Sequence, residues 1–94
     1  MGSISLIRIA PSIAWNNVDG ELAVFDPRDG RYHALNGSAA AIWRGIAEQQ
    51  PIPAIVARLA EQHEAPPERI AADVSAFVEA ALDKGLLERG GTAD

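Results

Sequence analysis

Metal binding, acid–base catalysis and nucleophilic attack each need particular side chains brought together, and this 94-residue chain is sparing with all of them. Its two histidines, His33 and His63, show neither HxH nor HxxxH spacing. A metal site needs several converging ligands, so both read as surface histidines. There is no cysteine, which removes disulfides, thiolate nucleophiles and cysteine-held metals together and fits a reducing, cytoplasmic compartment. Gly20, Gly30, Gly37 and Gly85 fall at turns and helix ends rather than in a GxGxxG or phosphate-loop pattern. No nucleophile-elbow motif occurs. Glu61, Glu64 and Glu68 flank a proline-rich turn and read as a solvated face. The expectation is a protein that is not an enzyme and needs no metal or cofactor, so the chemistry to look for is recognition.

The composition narrows what can be recognised. The chain carries 13 acidic and 8 basic side chains for a net charge of −5. A nucleic-acid binder needs a basic face to neutralise phosphates, and none is visible. The longest apolar run, Ala39 to Trp43, is far short of the ~20 residues of a membrane span. The N-terminal residues lack the long apolar segment of a signal peptide. With 48% hydrophobic and 22% charged residues, the composition is that of one ordinary globular domain.

Any recognition surface must be held by elements whose pattern is β first and α second. Ile4 to Ile9 alternates apolar and polar residues and reads as a short strand or an arm within an N-terminal segment, residues 1–12. Ile13 to Val18, Glu21 to Asp26 and Arg31 to Leu35 read as three strands of an antiparallel meander. Asp19-Gly20 supplies a tight hairpin turn between the first two, and Pro27 to Gly30 a turn between the next two. Helical spacing begins after Asn36-Gly37, with Asn36 or Ser38 as a cap. Ala39, Ile42, Trp43 and Ile46 form one stripe; Ile52, Ile55, Val56 and Leu59 form a second. Pro67 suits the first turn of a third helix. That helix buries Ile70, Val74, Phe77, Val78, Ala81 and Leu82, and Gly85 supplies a left-handed terminator that folds Leu86 back. Trp15, Phe25, Trp43 and Phe77 are the largest apolar side chains, and most of them are expected near the core. Glu88 to Asp94 reads as a flexible tail. The fold class is α+β, a three-stranded meander followed by three α-helices in a winged helix-turn-helix-like order.

That order invites comparison with winged-helix DNA readers, but the third helix sets Glu68, Asp73, Glu79 and Asp83 against Arg69 and Lys84. A major-groove helix should be basic or polar toward DNA, so nucleic acid is the second reading. A generic protein-interaction partner is a third.

The stretch Asp29 to Trp43 (DGRYHALNGSAAAIW) resembles the PqqD family. So do Ile55 to Leu59, Asp73 to Phe77 and Lys84 to Leu87, and the match runs from about Ile13 to Leu87. Its most specific piece is Tyr-x-x-Leu-Asn followed by small residues and an aliphatic–aromatic pair. Pro51 and Ala65-Pro66-Pro67 depart from the polar helix caps frequent in that family. The resemblance implies a recognition element for ribosomally made, post-translationally modified peptides. Such a domain has three strands and three helices. It binds a precursor's leader peptide as a fourth strand along the third strand, in a cleft against the third helix. It works beside a radical-SAM enzyme, or beside a protease and cyclase in lasso-peptide pathways.

The residues themselves lead to a compatible place. A three-stranded meander has two edges, and an uncovered edge offers unpaired N–H and C=O groups to an incoming strand or to a second copy of the chain. Arg31, Tyr32, His33, Ala34 and Leu35 form such an edge, with no proline in it. On the third helix Asp73, Phe77, Ala80 and Lys84 make a stripe beside the core stripe. Phe77 and Ala80 are expected to floor an apolar pocket, and Asp73 and Lys84 to meet polar or charged leader residues at its ends. Each has a plainer reading too: Phe77 as core, Tyr32 as sheet packing, and the charged residues as solvated surface.

Overall fold

The computed structural model describes residues 7–89. Five strands and three helices follow one another: β1 (Ile7–Ile9), β2 (Ala14–Val18), β3 (Glu21–Asp26), β4 (Arg31–Leu35), α1 (Gly37–Ala47), α2 (Ile52–His63), α3 (Pro67–Asp83) and β5 (Leu87–Arg89). Strands β2, β3 and β4 form the expected antiparallel meander in that order. The architecture is α+β, with three helices following the three-stranded sheet.

Local chemistry sets each boundary. Asp19 and Gly20 both take left-handed backbone (φ 51° and 82°), as a type I′ hairpin turn requires. Gly30 donates its N–H to the Asp26 carbonyl at 2.9 Å, closing the next turn. Gly85 (φ 78°) ends α3 in a Schellman arrangement. Its N–H bonds the Leu82 carbonyl, and the Leu86 N–H bonds the Ala81 carbonyl at 2.9 Å. Leu86 thereby folds back and is buried. Asn36 stands at the cap position of α1 with extended backbone, but neither it nor Ser38 caps with its side chain.

The core lies between one face of the sheet and the helices. Leu22 and Val24 contribute from β3; Ile42, Trp43 and Ile46 from α1; Ile55 and Leu59 from α2; and Ile70, Val74 and Val78 from α3. Helices α1 and α2 cross closely at Gly45, where a Cβ would sit 2.8 Å from the Ile55 side chain. The large aromatics divide differently from expectation. Trp43 is fully buried and Phe77 packs half-buried against the core. Trp15 is 37% exposed on β2, every residue of which is exposed, and Phe25 is half-buried on the sheet's other face. The helices pack against the face of Leu22 and Val24, which leaves the opposite face of Phe25 open and strand β2 exposed at the sheet's margin.

The two ends of the described polypeptide meet. The N-terminal segment is a strand where it is described: β1 pairs antiparallel with β5, with Ile7 opposite Arg89 and Ile9 opposite Leu87. The flexible-tail expectation therefore fails for Glu88 and Arg89, which β1 supplies with a ladder and Arg8 with an ion pair to Glu88 at 2.6 Å. Ile4 to Leu6 and the rest of the tail lie outside the described residues.

Candidate peptide-binding edge

Strand β4 pairs with β3 and, among the described residues, with no other strand. The direction of its backbone groups follows from the hairpin before it. The residues flanking a two-residue turn, Val18 and Glu21, form a hydrogen-bonded pair, and such pairs alternate along an antiparallel ladder. Glu21, Ala23 and Phe25 thus turn their peptide groups toward β2, and Leu22 and Val24 turn theirs toward β4. By the register of β3 with β4, His33 and Leu35 bond back to Val24 and Leu22. The N–H and C=O of Tyr32 and of Ala34 point off the edge. These are the groups an added strand would take up.

Side chains alternate in the same rhythm. Arg31, His33 and Leu35 share the face of the buried Leu22 and Val24; Tyr32 and Ala34 stand on the opposite face beside Phe25 and Ala23. His33 and Leu35 are half-buried, whereas Arg31, Tyr32 and Ala34 are exposed. Tyr32 is 72% exposed, with its ring 4.8 Å from that of Phe25.

Helix α3 has two flanks beside its buried stripe. One, with Ser75, Val78 and Leu82, lines a groove of about 330 Å³ shared with Ile52 and Val56 of α2 and Ile7 of β1. The other carries Asp73, Phe77, Ala80 and Lys84; of these Phe77 is half-buried and the rest are exposed. From Asp73 to Lys84 is about 16 Å at the helical rise, close to the ~16 Å length of a five-residue strand. No side-chain hydrogen bond or ion pair joins Asp73 or the Lys84 ammonium to β4 among the described residues.

A contact that sequence reasoning missed ties this end of α3 to the sheet. The Asp26 carboxylate is buried at the end of β3. It accepts hydrogen bonds from the Arg28 backbone N–H at 3.0 Å, from Nε at 3.0 Å and from Nη2 at 2.8 Å. Arg28 Nη2 also donates to the Lys84 carbonyl at 2.9 Å. These bonds from Arg28 hold the Asp26 carboxyl down at about 2, against the opposing effect of burial and with help from the nearby His33. The same contacts raise the Arg28 guanidinium. A Cβ on Gly85 would stand 2.5 Å from Arg28 Nη1 and 2.6 Å from Nη2. The Asp-Pro-Arg-Asp-Gly pattern signals a turn, but nothing local in it reveals that its arginine reaches a helix end far along the chain.

The family model for Coenzyme PQQ synthesis protein D (PqqD) matches residues 21–87, from the start of β3 into β5. The chain belongs to the PqqD family. Two solved structures share the fold of this PqqD-family chain. One is TbiB1 in complex with the TbiA(beta) leader peptide, 24% identical, covering 93% of this chain and 99% of that one, with a TM-score of 0.82. The other is lasso peptide synthetase B1 complexed with the leader peptide, 23% identical, covering 87% of this chain and 96% of that one, with a TM-score of 0.81. No curated protein gives a significant match. In this PqqD-family chain no group of three or more metal-ligating side chains occurs among the described residues. No described helix is long and apolar enough to cross a membrane.

Proposed function

We propose that this chain is a non-catalytic recognition protein that captures the leader of a ribosomally made precursor peptide as an extra strand on β4 and presents it to a modifying enzyme. The observation that carries the reading is the edge itself: Tyr32 and Ala34 turn their peptide groups outward, while the N-terminal strand β1 is engaged with β5. Main-chain bonds along such an edge supply affinity, and side-chain pockets supply choice. Both solved relatives are complexes with a leader peptide, which supports the same reading. Arg31, His33 and Leu35 would meet the leader's inward side chains. Phe77 and Ala80 would form the apolar wall, with Asp73 and Lys84 at its ends. The receiving enzyme would be a radical-SAM protein or a lasso-peptide protease and cyclase. The net charge of −5 and the exposed acidic residues of α3 speak against nucleic acid as the ligand.

The test is Ala34→Pro. Its N–H points off the edge, so proline removes a donor from the binding strand without removing a ladder bond. Calorimetric titration with leader peptides of precursors encoded beside its gene should give binding to the wild type. Binding should fall more than tenfold in a variant whose melting curve stays near the wild type. Unchanged affinity in the folded variant would refute strand addition at β4.

A further inference from the structure

The outward face of the sheet carries a feature that backbone pairing alone does not use. Phe25 and Tyr32 are directly opposite across β3 and β4, and their rings stand 4.8 Å apart at an interplanar angle of 48°. That separation equals the ~4.8 Å spacing between neighbouring strands, so the rings form two rungs of a ladder running across the sheet. The ladder ends on the β2 side at Ala14, which is opposite Phe25 and has no ring to add. On the other side it ends at Tyr32, which is 72% exposed and borders the open edge. Phe25 packs on the Tyr32 ring from the β3 side, and the ring's remaining surface borders the open edge, where an added strand would lie. The neighbouring row, Asn16, Ala23 and Ala34, is small by contrast and offers an incoming side chain little surface.

We infer that Tyr32 is a specificity-determining residue whose free ring face binds one large apolar, preferentially aromatic, side chain of the leader, the residue directly opposite it on the sheet's outer face. The inference rests on strand addition at β4 and adds to it a rule of sequence. The leader residue opposite Tyr32 completes a third rung. The residue two positions away, opposite Ala34, is free to vary. A strand's side chains alternate between faces, so this choice is made independently of the inward residues that face α3. An aromatic cross-strand pair contributes enough to change affinity about three- to tenfold.

The probe is a randomised peptide library displayed on phage and selected in parallel on the wild type, Tyr32→Ala, Ala34→Tyr and Ala34→Pro, each checked for folding by circular dichroism. The wild type should enrich peptides with an aromatic or large aliphatic residue at one fixed position. Tyr32→Ala should lose that preference while keeping the others. Replacing the selected aromatic by alanine in a synthetic peptide should weaken binding about three- to tenfold for the wild type and less than twofold for Tyr32→Ala. Ala34→Tyr should create a second aromatic preference two residues from the first. An aromatic preference that survives Tyr32→Ala unchanged would overturn the subsite and leave strand addition standing. Selection of the same peptides by folded Ala34→Pro, or no enrichment by the wild type, would overturn strand addition and the subsite with it.

Discussion

Replacing Gly85 with alanine perturbs two things that can be measured apart. The first is intrinsic to the backbone. Gly85 sits at φ 78°, and a residue with a Cβ held in left-handed geometry costs about 1–2 kcal/mol. For a domain of this size that lowers the melting temperature by roughly 5–15 °C. The second is steric and specific. The new Cβ would fall 2.5 Å and 2.6 Å from Nη1 and Nη2 of Arg28, so the guanidinium must leave the position from which it donates to the Lys84 carbonyl. The two parts separate in a double-mutant cycle read by urea denaturation. In an Arg28→Ala background, Gly85→Ala should cost only the backbone part. With Arg28 present it should cost more, and Gly85→Ala combined with Arg28→Ala should be little worse than Arg28→Ala plus 1–2 kcal/mol. If Gly85→Ala costs the same whether or not residue 28 is arginine, the guanidinium yields freely and the proposed tie between the β3–β4 turn and α3 has no mechanical weight.

Two further outcomes follow from burial and charge. Trp43 is fully buried, yet its indole N–H has no hydrogen-bond partner among the described residues. Trp43→Ala is therefore expected to cost about 3–5 kcal/mol. Trp43→Phe, which sacrifices no hydrogen bond, should cost less than half of that in the same denaturation assay; near-equal losses would mean that the N–H is bonded after all. The Asp26 carboxyl is lowered from the usual 3.8 to about 2, chiefly by its bond from Arg28. A depressed carboxyl stabilises the fold above its unfolded value and withdraws that stability as acid titrates the folded form. The difference in stability between the wild type and Asp26→Asn should thus be constant above pH ~4 and shrink between pH ~4 and ~2. A difference that does not change across that window would remove the carboxylate–guanidinium bond from the account.

What could be read from the residues divides by distance along the chain. Asp19-Gly20 and Gly85 announce their turns because only a few residue types tolerate left-handed backbone there, and all three residues adopt it. The helical stripes place Ile42, Trp43, Ile55, Leu59, Val74 and Val78 in the core, where they are. The pairing of β1 with β5 escapes such reading. Each strand has three residues, and Arg8 meets Glu88 across nearly the whole sequence, with no turn between them to announce a hairpin. The aromatics escape it for another reason. Periodicity assigns Trp15 and Phe25 to faces of strands, but how much of each face is covered depends on how wide the sheet is and where the helices lie. Of the candidate site, the edge at Arg31 to Leu35 and the exposed flank of α3 are legible as patterns. The Arg28 bond to Lys84 and the Phe25–Tyr32 rungs depend on tertiary placement, to which local sequence is blind.

The β1–β5 ladder has a consequence for how this domain can be joined to others. Ile7 lies opposite Arg89, so the described polypeptide enters and leaves through one doorway only a strand's width across. A unit built this way can be spliced into a surface loop of a larger protein, or tethered by either end, without its ends being pulled apart. A covalent union of recognition domain and modifying enzyme would then ask little more of the chain than two short linkers side by side.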